Sequence, residues 1–414
     1  MPAAISGHDG DAVERASRVE SAGIQAGQSA AKGSVRMVTS RLARWDSLDV
    51  LRVIAVFLMV QGHTFDVVLS DTVRAESWFR WHRYVHGFTA PLFLFASGTA
   101  FGVTTFRRWS AHTVWGPAVR KRLFRYSLLI VIGYALHMMG YTLSGILRET
   151  AEKQRHLFLV DALQHIGVVL LLAEMAVLAT RRRGLFVALI LTLTLLSVGF
   201  APWVWRQDFG NIPLVLAAYL NDETGSIFPI LPWSGFILAG IVTAHFATDR
   251  QGGLRRVSWL GLLVVGFLIY QAGVSLTASE FQPFGEHDYW KTGPWFFLLR
   301  LGIVMGALGL LGGLRALRRG SAVPNWLRTI ATETLAIYVL HLVILYGSPL
   351  LRGVRRIFSR DLSVTSSSMV TLGVLTLSLA IGFGWHYAKK KWPRQVDRTR
   401  DLILVVGALV FLFG

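Results

Sequence analysis

Apolar residues in this chain come in blocks of about twenty separated by short, charged connections, and a chain patterned this way has few folds open to it. Twenty helical residues rise about 30 Å, the thickness of a hydrocarbon layer. Inside that layer every backbone N–H and C=O must be satisfied within a helix or a closed barrel. A barrel would be written as alternating segments of about ten residues, and the blocks here are longer and continuous. The expected fold class is therefore all-α: a polytopic membrane helix bundle of 10–11 transmembrane helices. The spans read from the sequence are 48–70, 86–106, 123–144, 158–180, 184–205, 226–247, 257–277, 294–313, 329–349 and 366–388. The last apolar run, 401–414, has room for a thin crossing or an interfacial helix.

Only 16% of the residues are charged, against about 25% in a soluble domain. The net charge is +18, which in a soluble protein would raise nucleic acid as a partner. Here Lys and Arg cluster in short loops between apolar blocks, the signature of membrane topology, so nucleic-acid binding is not expected. The chain has no cysteine, which excludes disulfides, Cys-ligated zinc and a thiol nucleophile. Residues 1–45 are rich in Ala, Gly, Ser and charge and read as a disordered cytosolic tail. Residues 46–414 read as a single transmembrane domain.

The basic residues set an orientation. With the N-terminus in the cytosol, Arg107–Arg125, Arg181–Arg183, Arg250–Arg256, Arg315–Arg328 and Lys389–Arg400 are inside loops. The loops around 206–225 and 278–293 then lie outside with one basic residue each, Arg206 and Lys291. The loop 350–362, with four Arg, runs against the pattern.

Within the first span, Asp49, Arg52, His63 and Asp66 share one helical face, an arc of roughly 100°. Ionisable groups inside a bilayer are costly and mark function. The alternative is a headgroup-level Asp49–Arg52 pair and a His63 bonded to a neighbouring helix. The assumed orientation brings His63, His86, His137, Asp161, Gln164, His165 and His341, with Pro229, Pro232 and Trp233, to one depth in the outer half. One polar cavity open to the outside follows. Asp161, Gln164 and His165 lie on one face by i, i+3, i+4 spacing and equally fit a helix-start cap. His341 equally fits a structural hydrogen bond, and His137 fits packing. His63 is the sharpest candidate base, oriented by Asp66. Gln61, Thr64 and Thr89 are candidate oxyanion donors. No Gly-x-Ser-x-Gly elbow is present, and no His-Glu-x-x-His spacing supports a metal.

Ser47-Leu-Asp-x-x-Arg52, the apolar run and Gln61-Gly-His-Thr-Phe-Asp66 resemble the first helix of the transmembrane acyltransferases. Among these, the bacterial relatives of the heparan-α-glucosaminide N-acetyltransferase catalytic domain match in particular, and the acyltransferase-3 proteins more distantly. His86–Gly98 resembles the second helix of that family, and Ala336-Ile-Tyr-Val-Leu-His341 a late helix shared with acyltransferase-3 proteins. Val53 departs from the Gly usual after the Arg. The resemblance implies one acyltransferase domain over 46–414 in a bacterial cytoplasmic membrane, and the basic loops place its N-terminus in the cytosol. It implies an acyl-CoA co-substrate, with acetyl-CoA expected, no metal, and a carbohydrate or cell-envelope acceptor. His63, Asp66 and His86 are the catalytic candidates. Arg52, Asp161, Gln164, His165, Trp233 and His341 are binding candidates. Arg120, Arg122 and Arg125 resemble the basic Arg-x-x-Arg motif associated with the acyl donor, because Arg binds phosphate oxygens bidentately; they equally fit a positive-inside anchor. A proton-coupled secondary transporter using the intramembrane His and Asp groups is the alternative function.

The orientation is directly testable. A reporter fused after residue 182 is expected to read cytosolic and one fused within 210–222 external. The reverse at both sites would turn the bundle over and remove the shared outer depth of the polar groups.

Overall fold

The computed structural model describes residues 45–248, 258–317, 323–348 and 351–413. Apart from Trp45, the expected tail lies outside the described residues. From Asp46 onward the chain forms one compact unit. Among the described residues it is mostly helix joined by loops, and its β-structure is a two-residue antiparallel pair, Gly347–Ser348 with Leu351–Arg352, and an isolated bridge between Leu69 and Leu362.

Every expected span is occupied by helix. The principal helices are α1 Asp46–Val68, α2 Ser77–His86, α3 Thr89–Arg107, α4 Pro117–His137, α5 Ala162–Thr180, α6 Arg183–Gly199 and α7 Ile230–Ala247. They continue with α8 Ser258–Ala278, α9 Pro294–Leu317, α10 Asn325–Thr332, α11 Thr334–Tyr346, α12 Val364–Lys391 and α13 Pro393–Phe413, with shorter helical turns between. Seven candidate spans are long and apolar enough to cross a membrane, α2 and α3 counting as one, or eight if α10 and α11 are counted as one bent span. That is fewer than the ten to eleven expected. Helix α6 has only 17 residues, α4 opens on Arg120, Lys121, Arg122 and Arg125, and the first half of α13 is charged.

Two spans differ from expectation for local reasons. The ninth is broken by 71° between α10 and α11. At the break the buried Glu333 carboxylate accepts from His386 Nδ1 at 2.8 Å and Lys389 Nζ at 2.6 Å, both on α12. In α7 the backbone at Leu231 is extended (φ −98°, ψ 134°), because a residue before proline avoids the helical region. The helix proper therefore begins at Pro232.

Three helix pairs lie backbone to backbone, with glycine at the contact, as expected where hydrocarbon supplies no hydrophobic drive between helices. A side chain at Gly98 of α3 would strike the Ile237 carbonyl of α7, and one at Gly240 the Phe95 carbonyl. Gly302 of α9 meets Gly266 and Tyr270 of α8 in the same way, and Gly167 of α5 meets Tyr126 and Ile130 of α4. At the end of the bundle where α9 begins, the connecting loops are tied together. Lys291 Nζ donates to Asp222 at 2.6 Å, a bond that holds its ammonium above the ordinary lysine pKa, and Arg206 donates to the Glu286 carbonyl at 3.0 Å.

Candidate active site

Helix α1 carries polar groups to two places. Asp49 and Arg52 lie in its first two turns, whereas His63 lies in its fifth. Eleven residues of rise separate Arg52 from His63, about 16 Å, so Arg52 is not brought to His63. At the His63 end, His86 packs against α1 where residue 62 is glycine; a Cβ there would fall inside the His86 ring. His86 and His63 rings are 6.2 Å apart edge to face, and His63 and His341 are 5.4 Å apart. His82, from the unforeseen helix α2, stacks on His86 at 6.1 Å.

His63 borders a cavity of about 340 Å³. Asp161, Gln164 and His137 line it with Tyr338 and Tyr346. Gly133 is also there, and a side chain on it would collide with Gln164. Asp161 is the N-cap of α5, its Oδ1 accepting from Ala162 N–H at 2.7 Å. Its Oδ2 faces His137 Nε2 at 3.9 Å. The cap reading of Asp161 and its place in the cavity are both realised. The structure thus gathers His63, His86, His137, Asp161, Gln164 and His341 from five helices.

The imidazoles differ in their engagements. His341 is fully buried and donates from Nδ1 to the Ile337 carbonyl at 3.2 Å, leaving Nε2 unpartnered among the described residues. His165, also fully buried, donates from Nδ1 to the Phe228 carbonyl at 3.0 Å and stands behind Gln164 rather than in the cavity lining. His86 lies 3.3 Å from Thr89 Oγ1. His63 has no hydrogen bond to any described residue and is only partly buried, so its ring is free toward the cavity. The Gln164 amide is wholly buried in the cavity wall with both of its polar atoms unpartnered among the described residues.

Asp66 lies within electrostatic reach of His63, as expected, but its carboxylate is engaged elsewhere. Its carboxylate faces Arg74 at 3.6 Å and is half exposed, while Arg360 donates to its backbone carbonyl. Asp161 shares the cavity with His63. The expected oxyanion donors are engaged elsewhere: Gln61 with His82 at 2.8 Å, Thr64 with the Val60 carbonyl at 2.7 Å, Thr89 with His86. Trp233 packs on Phe228 at 4.9 Å, one layer behind the cavity. Tyr338 and Gly133 were not singled out in the sequence. Tyr338 is three residues before His341, on the same helical face, and that spacing is a usable signal.

The Arg120–Arg125 cluster lies at the other end. Arg122 donates to Glu174 Oε2 at 3.0 Å, to Thr105 at 2.7 Å and to Thr104 at 2.6 Å. Glu174 is fully buried and also contacts His112 Nδ1 at 2.7 Å. Thirteen residues of α5 separate Glu174 from Asp161, about 20 Å of rise. Arg122 therefore locks α4 to α3 and α5, while Arg120 and Arg125 stay exposed. Among the described residues, no group of three or more His, Cys, Asp or Glu is placed to hold a metal ion.

A helical membrane bundle with an imidazole- and carboxylate-lined cavity at one end defines the class as an integral-membrane protein with a polar site inside its helices. The profile of an acyltransferase domain matches residues 45–385, and the chain belongs to the acyltransferase-3 family. It is a membrane acyltransferase. A search of curated proteins finds no match.

Arg122→Ala is expected to lower stability by about 3–5 kcal/mol, because it leaves a buried carboxylate without its cation. Arg122→Met combined with Glu174→Gln should recover much of that loss. Denaturation of the detergent-solubilised variants measures both, and an unchanged midpoint for Arg122→Ala would exclude the locking role.

Proposed function

We propose that this acyltransferase moves an acyl group, acetyl in the first instance, from acyl-CoA to a hydroxyl or amine of a carbohydrate or cell-envelope acceptor, with His63 as general base. The observation that carries the reading is the partly buried His63 ring, hydrogen-bonded to no described residue and facing a polar cavity. The resemblance of the first two helices to relatives of the heparan-α-glucosaminide N-acetyltransferase supports a sugar acceptor. The N-in orientation in a cytoplasmic membrane, with the donor entering at the end bearing Arg120 and Arg125, belongs to the same proposal.

In this mechanism a ring nitrogen of His63 takes the proton of the acceptor O–H or N–H as its heteroatom attacks the thioester carbonyl. The carbonyl oxygen gains negative charge, and the Gln164 amide, without a hydrogen-bond partner among the described residues, is the donor in the wall that stabilises it. The C–S bond then breaks, and the imidazolium returns its proton to the leaving thiolate. Asp161 stabilises that imidazolium across the cavity, the role first given to Asp66. Tyr338 supplies a hydroxyl to the same wall. The exposed Arg120 and Arg125 guanidinium groups contact the phosphates of coenzyme A.

His63→Ala is expected to reduce transfer by about 10²–10⁴-fold and to leave acetyl-CoA binding intact. Asp161→Asn should reduce it less. A base must be neutral to accept, so the rate should fall as pH drops through the titration of His63 and level off above it; the Ala variant should lose that limb. A stable His63→Ala protein with near-normal transfer would overturn the mechanism.

Arg120→Ala and Arg125→Ala should each weaken acetyl-CoA binding by about tenfold, the scale of one charge-assisted hydrogen bond. Unchanged donor affinity in both variants would leave these residues as topology anchors alone.

A further inference from the structure

A second polar site lies where the start of α9 meets Gly87, the residue after His86. Arg300, in the second turn of α9, brings a terminal guanidinium nitrogen to 3.8 Å from the point where Gly87 would carry a Cβ. Its guanidinium carbon is 3.9 Å from the centre of the Phe296 ring and 5.6 Å from that of Trp233. These rings cover faces of the cation but accept none of its in-plane N–H groups. The buried Arg300 Nε and the buried Trp233 Nε1 both lack a hydrogen-bond partner among the described residues. Asp288, Tyr84 and Tyr289 lie within electrostatic reach of the guanidinium, and none is hydrogen-bonded to it among the described residues. Asp288 Oδ1 accepts from the backbone N–H groups of Trp290 and Lys291 at 2.8 and 3.1 Å, and Lys291 is paired with Asp222.

A buried guanidinium Nε–H beside a buried indole N–H is costly unless both find an acceptor. The complement of a planar fork of N–H donors is a carboxylate or phosphate. We propose that Arg300 and Trp233 form an oxyanion-binding subsite next to His86, which takes a phosphate or carboxylate carried by the acceptor. The word acceptor rests on the acyl-transfer reading; the subsite itself does not. The acceptor so defined is an acidic or phosphorylated sugar whose charged group sits at Arg300 while its reacting hydroxyl or amine reaches His63.

The test uses the full chain in phosphatidylcholine nanodiscs, with calorimetric binding of glucose, glucose 6-phosphate and glucuronic acid in the absence of acyl-CoA. The two anionic sugars are expected to bind about 10- to 100-fold more tightly than glucose. Inorganic phosphate should compete with them. Arg300→Gln should remove that preference and leave glucose binding unchanged. Arg300→Lys, a point charge without the planar fork, should keep only part of it. Equal binding of the three sugars by the wild-type protein, or an undiminished preference in Arg300→Gln, would overturn the subsite. If Arg300→Gln does not fold, the wild-type preference and its competition by phosphate decide alone. Nanodiscs of phosphatidylglycerol identify the source of the oxyanion. Displacement of glucose 6-phosphate by that lipid would overturn the acceptor assignment in favour of a lipid headgroup, and retention supports the sugar. Acetyl transfer assayed in parallel separates the two readings. Anionic-sugar binding through Arg300 without any transfer would end the acyl-CoA mechanism and leave the subsite. Transfer to glucose with no anionic preference would do the reverse.

Discussion

Hydrocarbon offers no partner to an ionised or hydrogen-bonding side chain, and the arrangement of this bundle depends on that constraint. The charged groups of the helices are folded against one another. Glu174 is enclosed by Arg122 and His112, Glu333 by His386 and Lys389, and Asp46 by Arg315 at 2.5 Å. Each cluster joins helices distant in sequence, α5 to α4 and α10–α11 to α12. The groups left without such closure gather at the other end, around His63 and Asp161. Structural ion pairs and an open polar cavity are thus two outcomes of the same exclusion from lipid.

Close backbone contact supplies the precision that electrostatics alone would not. Dispersion contacts of flush helix surfaces hold α3 to α7 and α8 to α9 where hydrocarbon gives no net drive for association. The rigid α3–α7 pair carries the joint at Gly87 and the start of α7 at Pro232 and Trp233. The guanidinium of Arg300 is seated against that frame at Trp233, and the His86 ring against Gly62 of α1. The acyl-transfer chemistry proposed for the cavity needs a base held still without being occupied, and His63 meets that description because its neighbours bind elsewhere.

Block length and hydropathy were enough to read the helices, since they report on the bilayer as solvent. The bend at Glu333 was not readable, because it depends on His386 and Lys389, more than fifty residues away. The gathering of His63, His86, Asp161, Gln164 and His341 was legible from depth alone, for a helix rises by a fixed amount per residue. Rotation about each helix axis was not. Asp66 is only three residues from His63, yet its carboxylate turns to Arg74 in a neighbouring short helix. Arg122 likewise reads as one of a basic run until the partner at Glu174 is seen. Arg300 carried no motif, and only the packing of Phe296 and Trp233 around it makes it conspicuous.

The missing side chain at residue 62 also acts as an index mark. The His86 ring fills the space that any Cβ would need, so α1 and the α2–α3 joint fit in one register. Sliding α1 by a single residue would present Gln61 or His63 to that ring and rotate the remaining face by about 100°. The axial position of His63, and with it the distance any substrate must span inside the bundle, is therefore set by an absence of atoms one residue away.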